Sequence, residues 1–351
     1  MDTRSINLSL GIIAMTCGIG ALYFLAPVLI PLVLAFVLAI LVNSLVRFIG
    51  DRWRAAPRWA VLVLAALVVT LGTAMAFVIL AQGAANVVRE MPQLLGRIDT
   101  LLRQTGPALH LRKPPDLASI VGEISVPSIA AGVAGSVGHL FSGLVLMIAY
   151  FGFILAGRTR ATRKLASLSA LSGAKIPIEA AVNHISTGVE LYVWVHTVTG
   201  LIIAGASALV MFAVGLDNAL FWSILLFLLC YIPIIGVTVG SIVPALFALG
   251  QFPGWWQSAV IFGGIQLAAG LVGNLIYPRL QAATQNIDPV ATLFALAFWG
   301  FLWGLTGAFL AIPLTMIVMM VCAYFPQTRW LAILLSNDAD PLFPGLSADE
   351  E

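Results

Sequence analysis

Long apolar runs recur along the whole sequence, and they constrain the fold more than any other feature. The runs lie at 8–25, 27–46, 59–81, 139–156, 191–214, 219–249, 258–277 and 290–325. An α-helix of about 20 apolar residues crosses the hydrocarbon core of a membrane, and these runs lack the short alternation of a membrane β-barrel. We therefore expect an all-α, polytopic helical membrane protein with about eight membrane segments.

The composition and the charge exclude several classes of protein. Hydrophobic residues make up 61% of the 351 residues and charged residues only 9%, whereas a soluble domain has about 25% charged residues. The formal net charge is +2, and no dense stripe of Lys and Arg occurs. We therefore do not expect nucleic acid as a partner. The expected partner is the lipid bilayer.

The sequence contains no motif for enzyme chemistry. It has no P-loop and no G-x-G-x-x-G, H-E-x-x-H, C-x-x-C or G-x-S-x-G pattern. Its histidines and cysteines are widely spaced and do not follow metal-ligand spacing. We therefore expect no enzyme, no metal and no cofactor, and we interpret the lone His196 as a packed or hydrated histidine.

The distribution of basic residues predicts the orientation. Arginines cluster at 47–58, and Lys and Arg cluster at 158–175. Because cytoplasmic loops of membrane proteins carry an excess of Lys and Arg, we place both segments and both termini in the cytoplasm.

The expected organisation follows from these runs and loops. It comprises N-terminal membrane helices at 1–81, an extracytoplasmic amphipathic segment at 82–138, a membrane helix at 139–157, a cytoplasmic basic and amphipathic segment at 158–190, a C-terminal transport core at 191–325 and a cytoplasmic tail at 326–351. Apolar residues at helical spacing mark 87–102 and 178–189 as amphipathic helices. These helices fit a membrane surface, a neighbouring subunit or, more commonly, the protein's own helices.

Two of the apolar runs are too long for single spans. As straight helices, 219–249 and 290–325 would be roughly 46 and 54 Å long, against a hydrocarbon core of about 30 Å. Ile-Pro-Ile-Ile-Gly at 232–236 interrupts the first run, and Gly304 to Gly307, followed by Pro313, interrupts the second. We interpret both as broken or re-entrant helical hairpins; the alternative is a pair of tilted, kinked spans with structural prolines.

Several motifs in the second half of the chain resemble those of one family. They are Tyr-Ile-Pro-Ile-Ile-Gly at 231–236, Gly-Asn-Leu-Ile-Tyr-Pro-Arg at 273–279, Ile-Asp-Pro at 287–289, the Gly-rich stretch at 300–307 and Ala-Ile-Pro-Leu-Thr at 311–315. Together they resemble the autoinducer-2 exporter (AI-2E) family of bacterial permeases, and the layout of runs and loops agrees over nearly the whole chain. The resemblance implies an inner-membrane transport protein, and it suggests a homo-oligomer such as a pentamer.

The sequence departs from the family pattern at three positions. Tyr277 stands where an acid often precedes the Pro-Arg pair, and Gln281 stands near a usual glycine. His196 stands where the start of the fifth long helix often reads Gly-Gln. The missing acid weakens any mechanism in which a cation that binds at position 277 drives transport.

Broken helices predict where a solute or an ion would bind. Half-helix ends offer dipoles and free backbone groups, and interrupted segments mark the binding sites of transporters that work by alternating access. The candidate substrate-binding residues are Tyr231, Pro233 and Gly236 in the first break, Gln266 and Asn274 between the breaks, and Gly307, Pro313 and Thr315 in the second. Each of these residues has an architectural alternative.

The polar segment 278–289 holds the only formal charges between Asp217 and Arg329. A charge beside apolar walls needs a partner or water. Asp288 is therefore the candidate for proton or cation coupling, with Arg279 as its candidate partner. The alternative is an exposed loop with a weak ion pair.

Three functions follow, from different classes. The first is the export of a small polar solute such as the quorum-sensing signal autoinducer-2, which the resemblance implies for some members. The second is a sodium/proton antiporter, which needs the Asp288 carboxylate. The third is a non-transporting membrane scaffold that binds partners through 82–138 and 158–190.

Overall fold

The computed structural model describes residues 3–52, 57–105, 142–157, 160, 164, 167, 178–233, 235–281 and 286–337. Every regular element within these ranges is a helix, as the apolar runs predict. The helices are α1 (Thr3–Phe24), α2 (Ala26–Arg52), α3 (Arg58–Thr105), α4 (Ser142–Gly157), α5 (Ile178–Val214), α6 (Ala219–Leu229), α7 (Ile235–Gln251), α8 (Trp256–Leu271), a π-helix (Val272–Ile276), α9 (Tyr277–Gln281), α10 (Pro289–Tyr324) and α11 (Arg329–Leu335).

By length and composition alone, five stretches of helix among the described residues are long and apolar enough to cross a membrane. They are Ala26–Gly50, Trp59–Leu94, Ala181–Val214, Trp256–Ile276 and Pro289–Tyr324. Three shorter apolar helices, α4, α6 and α7, accompany them. The prediction of a polytopic helical membrane protein is therefore confirmed.

The chain divides into two compact units. The first unit comprises residues 1–67, 143–193 and 283–351, and in it α1 packs against α2 and α10, and α10 against α11. The second unit comprises residues 68–142 and 194–282, and in it α6, α7 and α8 pack in sequence. Its core includes the buried side chains Met211, Leu226, Phe247, Ile261 and Ile265.

Helix α3 is longer than the apolar run that begins it. The run predicts a helix ending near Ala81, but the helix continues without a break to Thr105. Its 48 residues extend about 72 Å, far more than the thickness of a membrane. Val87 and Leu94 of the extension pack against the core of the second unit, so this amphipathic stretch contacts the protein's own helices.

Helices α6 and α7 form the first predicted hairpin. Gly236 lies against the backbone of Leu229, and Gly240 lies against the side chain of Leu226. Farther from the turn, the rings of Trp222 and Phe247 lie 5.2 Å apart. The pairing therefore runs antiparallel, and the 11 residues of α6 span only about 17 Å, too little to cross a membrane.

Helix α10 contains the second hairpin. Trp303 and Gly304 have non-helical dihedral angles, with Gly304 at φ 62° and ψ −144°. The indole nitrogen of Trp299 donates a hydrogen bond of 3.1 Å to Thr315 Oγ1. These residues would be about 24 Å apart along a straight helix, so the chain folds back on itself and the alternative of a kinked span is wrong.

The position of the second break differs in part from the prediction. The chain turns at Trp303 and Gly304, whereas Pro313 lies buried inside the second arm and leaves it helical. Only a residue without a Cβ adopts the Gly304 angles readily. A proline, by contrast, removes one backbone donor without forcing the chain to reverse.

The backbone of Gly304 gives a test of this hairpin. We expect Gly304→Ala to lower the free energy of unfolding by about 1 to 3 kcal/mol, because the alanine would be held in a region of φ/ψ space that is almost exclusive to glycine. No atom lies within 4 Å of the added Cβ, so the effect would be backbone strain alone. Thermal unfolding of the purified protein measures it.

The matched control for this prediction is Gly300→Ala. Gly300 lies one turn earlier in the same arm, and a Cβ there would meet only Ala308, at an ordinary contact distance of 3.9 Å. We expect this variant to keep or raise the unfolding temperature. Equal losses in the two variants would contradict a hairpin turn at Gly304.

Candidate functional site

The turn between α6 and α7 holds three of the predicted residues, Tyr231, Pro233 and Gly236. Tyr231 is 3% exposed, and its hydroxyl lies 2.6 Å from Thr197 Oγ1 on α5. Pro233 occupies the turn, where its carbonyl accepts from the amide of residue 235. Gly236 is buried against the Leu229 carbonyl, where a Cβ would clash. Pro233 and Gly236 therefore shape the turn, and Tyr231 supplies its polar group.

A second polar contact lies on the same face of the second unit. His196 of α5 is 3% exposed, and its Nε2 lies 2.6 Å from the hydroxyl of Tyr277. The His196 ring also lies 5.9 Å from the Tyr231 ring, centroid to centroid. We call His196, Thr197, Tyr231 and Tyr277 the α5 polar cluster.

Sequence reasoning found only one member of this cluster. Tyr231 was expected at the break, whereas His196 was interpreted as a lone packed or hydrated residue and Thr197 drew no attention. His196 and Tyr277 are two of the three departures from the family pattern, and they contact each other. Their partnership spans 81 residues, a distance that no local pattern reveals.

Tyr277 follows directly on a π-helical segment, Val272–Ile276. Such single wide turns occur frequently at functional sites. Asn274 lies within this segment, but its side chain is exposed and donates to the Gly270 carbonyl at 2.8 Å. Gln266, one helical stretch earlier, is also exposed. The structure therefore places these two predicted residues on the outside of the second unit.

The second break, in the first unit, holds Gly307, Pro313 and Thr315. Gly307 is buried against the backbone of Trp299, which leaves no room for a Cβ. Thr315 is 6% exposed; it donates to the Ala311 carbonyl at 2.7 Å and accepts from the Trp299 indole. These residues pack the two arms of the hairpin together.

Asp288 begins α10 and has a defined structural role. Its carboxylate accepts hydrogen bonds from the amides of Val290, at 2.7 Å, and Ala291, at 3.3 Å. The residue is therefore an N-cap, which a negative charge suits because of the helix dipole. Arg279, its candidate partner, is an exposed residue of α9 in the second unit.

Three buried polar atoms in the described part of the second unit have no hydrogen-bond partner. They are Ser207 Oγ, in the apolar part of α5, the indole nitrogen of Trp222 in α6, and Gln257 Oε1 in α8. Ser207 is 0% exposed and Trp222 is 4% exposed. An unpaired buried polar group is costly.

An apolar surface groove lies elsewhere on the second unit. It is lined by Ile242, Ala245, Leu246, Leu249, Trp255, Ser258, Ala259 and Phe262. None of the predicted site residues contributes to it. Among the described residues, no group of three or more His, Cys, Asp and Glu side chains is placed to hold a metal ion.

The fold and these contacts define a class of protein. A multi-pass helical membrane protein whose helices are interrupted within apolar segments to form hairpins has the construction of a secondary transporter. Residues 12–327 match the model of the AI-2E family transporter, and the chain belongs to this family. The protein is therefore a membrane transporter.

Three curated proteins are similar over nearly their full length. The AI-2 transport protein TqsA of Escherichia coli K12 is 26% identical over 93% of both chains. A putative transport protein of Haemophilus influenzae is 26% identical over 94% of this chain and 96% of its own. The putative transport protein YhhT of E. coli K12 is 27% identical over 95% of both chains.

The cap at Asp288 gives a second test. We expect Asp288→Ala to lower the free energy of unfolding by about 1 kcal/mol, because two amides of the first turn lose their acceptor. Asp288→Asn keeps a side-chain oxygen and should lose far less. Thermal unfolding compares the two variants, and equal stability would argue against a capping role.

Proposed function

We propose that the protein exports a small, uncharged, polar solute such as autoinducer-2 across the bacterial inner membrane. The observation that carries this proposal is the α5 polar cluster beside the α6–α7 turn. It gathers two phenols, a threonine hydroxyl and an imidazole within apolar helices. Such side chains bind hydroxyl and carbonyl groups of a solute by hydrogen bonds.

The lack of charge in this region supports an uncharged solute over a metal cation. Residues 191–214 and 219–276 contain no Asp, Glu, Lys or Arg. A cation that leaves water needs carboxylate ligands or a dense set of oxygen ligands. The name of the E. coli relative, an AI-2 transport protein, makes autoinducer-2 the first solute to test.

Alternating access is the mechanism that we propose. In transporters of this construction, one part of the chain rocks or gates around a site that discontinuous helices form. The α6–α7 hairpin is such a discontinuous element, since α6 ends inside an apolar stretch and Tyr231 lies at its end. We further propose, from the basic clusters, that both termini lie in the cytoplasm.

A homo-oligomer is part of the proposal. The span of α3 is largely exposed on this chain, with large side chains such as Trp59, Leu67, Leu71 and Met75 more than half exposed. Lipid or a second subunit would cover this face. The family resemblance suggests a pentamer.

Efflux of autoinducer-2 from reconstituted vesicles tests the proposal. We expect vesicles with purified protein to release loaded autoinducer-2 faster than protein-free vesicles. Tyr231→Phe should slow release by about fivefold, since one hydrogen bond contributes about 1 kcal/mol. The matched control is Tyr23→Phe, because Tyr23 is 55% exposed on α1 and should not affect release.

Other outcomes would favour the other functions. No release from vesicles that hold folded protein would overturn autoinducer-2 export. A sodium-driven change of internal pH that disappears in Asp288→Asn would identify a sodium/proton antiporter. If neither flux is observed, the scaffold function through 82–138 and 158–190 would be favoured.

A further inference from the structure

We propose that His196 is the proton-binding residue of the transport cycle, so that one proton enters as one solute molecule leaves. This inference rests on the proposed export function and deepens it. It adds the driving ion and the residue that carries it. The carrier is the imidazole Nε2, which would bind a proton from the outer side and release it to the inner side.

His196 is the only histidine in the apolar segments 191–214 and 219–276. Residues 191–214 and 219–276 contain no other His and no Asp, Glu, Lys or Arg. Histidine is the side chain that ordinarily changes charge between pH 5 and 8. Ionisable groups inside a membrane commonly mark proton and ion pathways.

The contact with Tyr277 changes when the imidazole takes up a proton. A neutral imidazole can accept at Nε2, so Tyr277 can donate across the 2.6 Å contact. An imidazolium donates from both nitrogens, so Tyr277 must then accept and direct its own proton elsewhere. Protonation of His196 therefore reverses the polarity of this hydrogen bond.

Reversal of the His196–Tyr277 hydrogen bond would affect the π-helical segment and the α6–α7 turn of the second unit. Tyr277 begins α9 immediately after the π-helical segment. Tyr231, whose ring lies beside His196, stands at the α6–α7 turn. One titratable side chain thus contacts residues at the π-helical segment and at the α6–α7 turn, and discontinuous helices form the site around which such transporters rock or gate.

The surroundings of His196 link protonation of its imidazole to the entry of water. The rings of Tyr231 and Tyr277 lie beside the His196 ring, and Cys230 lies beside Gly200, one turn farther along α5. None of these is an anion at neutral pH. Glu190, the nearest acid along α5, pairs with Arg47. An imidazolium here would lack a carboxylate in these segments, so its formation favours a conformation that admits water.

The chain contains a matched control on the same helix. His184 also lies on α5, and its Nδ1 is 2.8 Å from the hydroxyl of Tyr324. It precedes the apolar run 191–214. His184 and His196 therefore share residue type, helix and a tyrosine partner, but only His196 lies beside the α6–α7 turn.

Titration of His196 tests proton binding without any solute. Protein with ¹⁵N-labelled histidine, in vesicles, is studied by NMR from pH 5 to pH 8, and the His196 signals are those that are absent from the spectrum of the His196→Gln variant. We expect these signals to change from neutral to charged imidazole within this range. Tyr277→Phe should shift the midpoint, whereas His184→Gln should leave it unchanged.

Solute accumulation tests the coupling. Vesicles with the membrane potential clamped at zero receive autoinducer-2 on both sides and a pH difference of one unit. A one-for-one exchange should hold a solute gradient of about tenfold, since one pH unit corresponds to a factor of ten. We expect no solute gradient with His196→Gln, whereas His184→Gln should keep the full gradient.

The outcomes separate this inference from the proposed function. Release of autoinducer-2 with no gradient in the native protein would overturn proton coupling and leave export standing. A lack of release would overturn export. A His196 signal that is constant from pH 5 to pH 8, or a His196→Gln variant that still holds the gradient, would overturn the role of His196.

Discussion

The rest of the structure depends on the need to satisfy backbone polar groups inside an apolar environment. A helix satisfies its own amides and carbonyls, and a break inside a membrane segment does not. At the α6–α7 turn the chain meets this need locally, because the amides of Ile232 and Gly236 donate to Leu229 and to Ile232 at 2.8 and 3.0 Å. Close approach of α7 to the end of α6 requires that residue 236 have no side chain. The hairpin therefore exists because a glycine stands at that position.

The outline of the fold could be predicted from the sequence because it follows from the lengths of the apolar runs. An apolar run longer than a membrane is thick must break, tilt or fold back, and both long runs fold back. The sequence predicted the second break at Gly304 to Gly307 and Pro313, and only the glycine part of this prediction marks the turn, because glycine permits the reversal whereas Pro313 leaves its arm helical. It predicted an amphipathic helix at 87–102 but not that this helix continues the membrane span without a break, because membrane thickness limits the apolar run and not the helix.

The candidate site could be predicted only where its residues belong to a local pattern. Tyr231 was found because it adjoins the break. His196 and Tyr277 were not recognised as partners, because side chains far apart in sequence meet only when the helices pack. Gln266 and Asn274 show the converse, since a polar residue in an apolar run predicts an interior position, yet both side chains are exposed. Helical periodicity gives a weak signal where every face of the helix is apolar.

The two hairpins differ in the hydrogen-bonding capacity that they leave for a solute. In α10, the Thr315 hydroxyl donates to its own helix and accepts from Trp299, and Trp303 donates to the Leu22 carbonyl of α1 at 3.0 Å. A solute could bind these groups only by breaking bonds that hold the arms together. In the second unit, Ser207 Oγ and the Trp222 indole nitrogen have no partner, and the hydroxyls of the α5 polar cluster can accept as well as donate. The proposed solute site is therefore the α6–α7 hairpin, whereas the polar groups of the α10 hairpin hold its two arms together and hold it to α1.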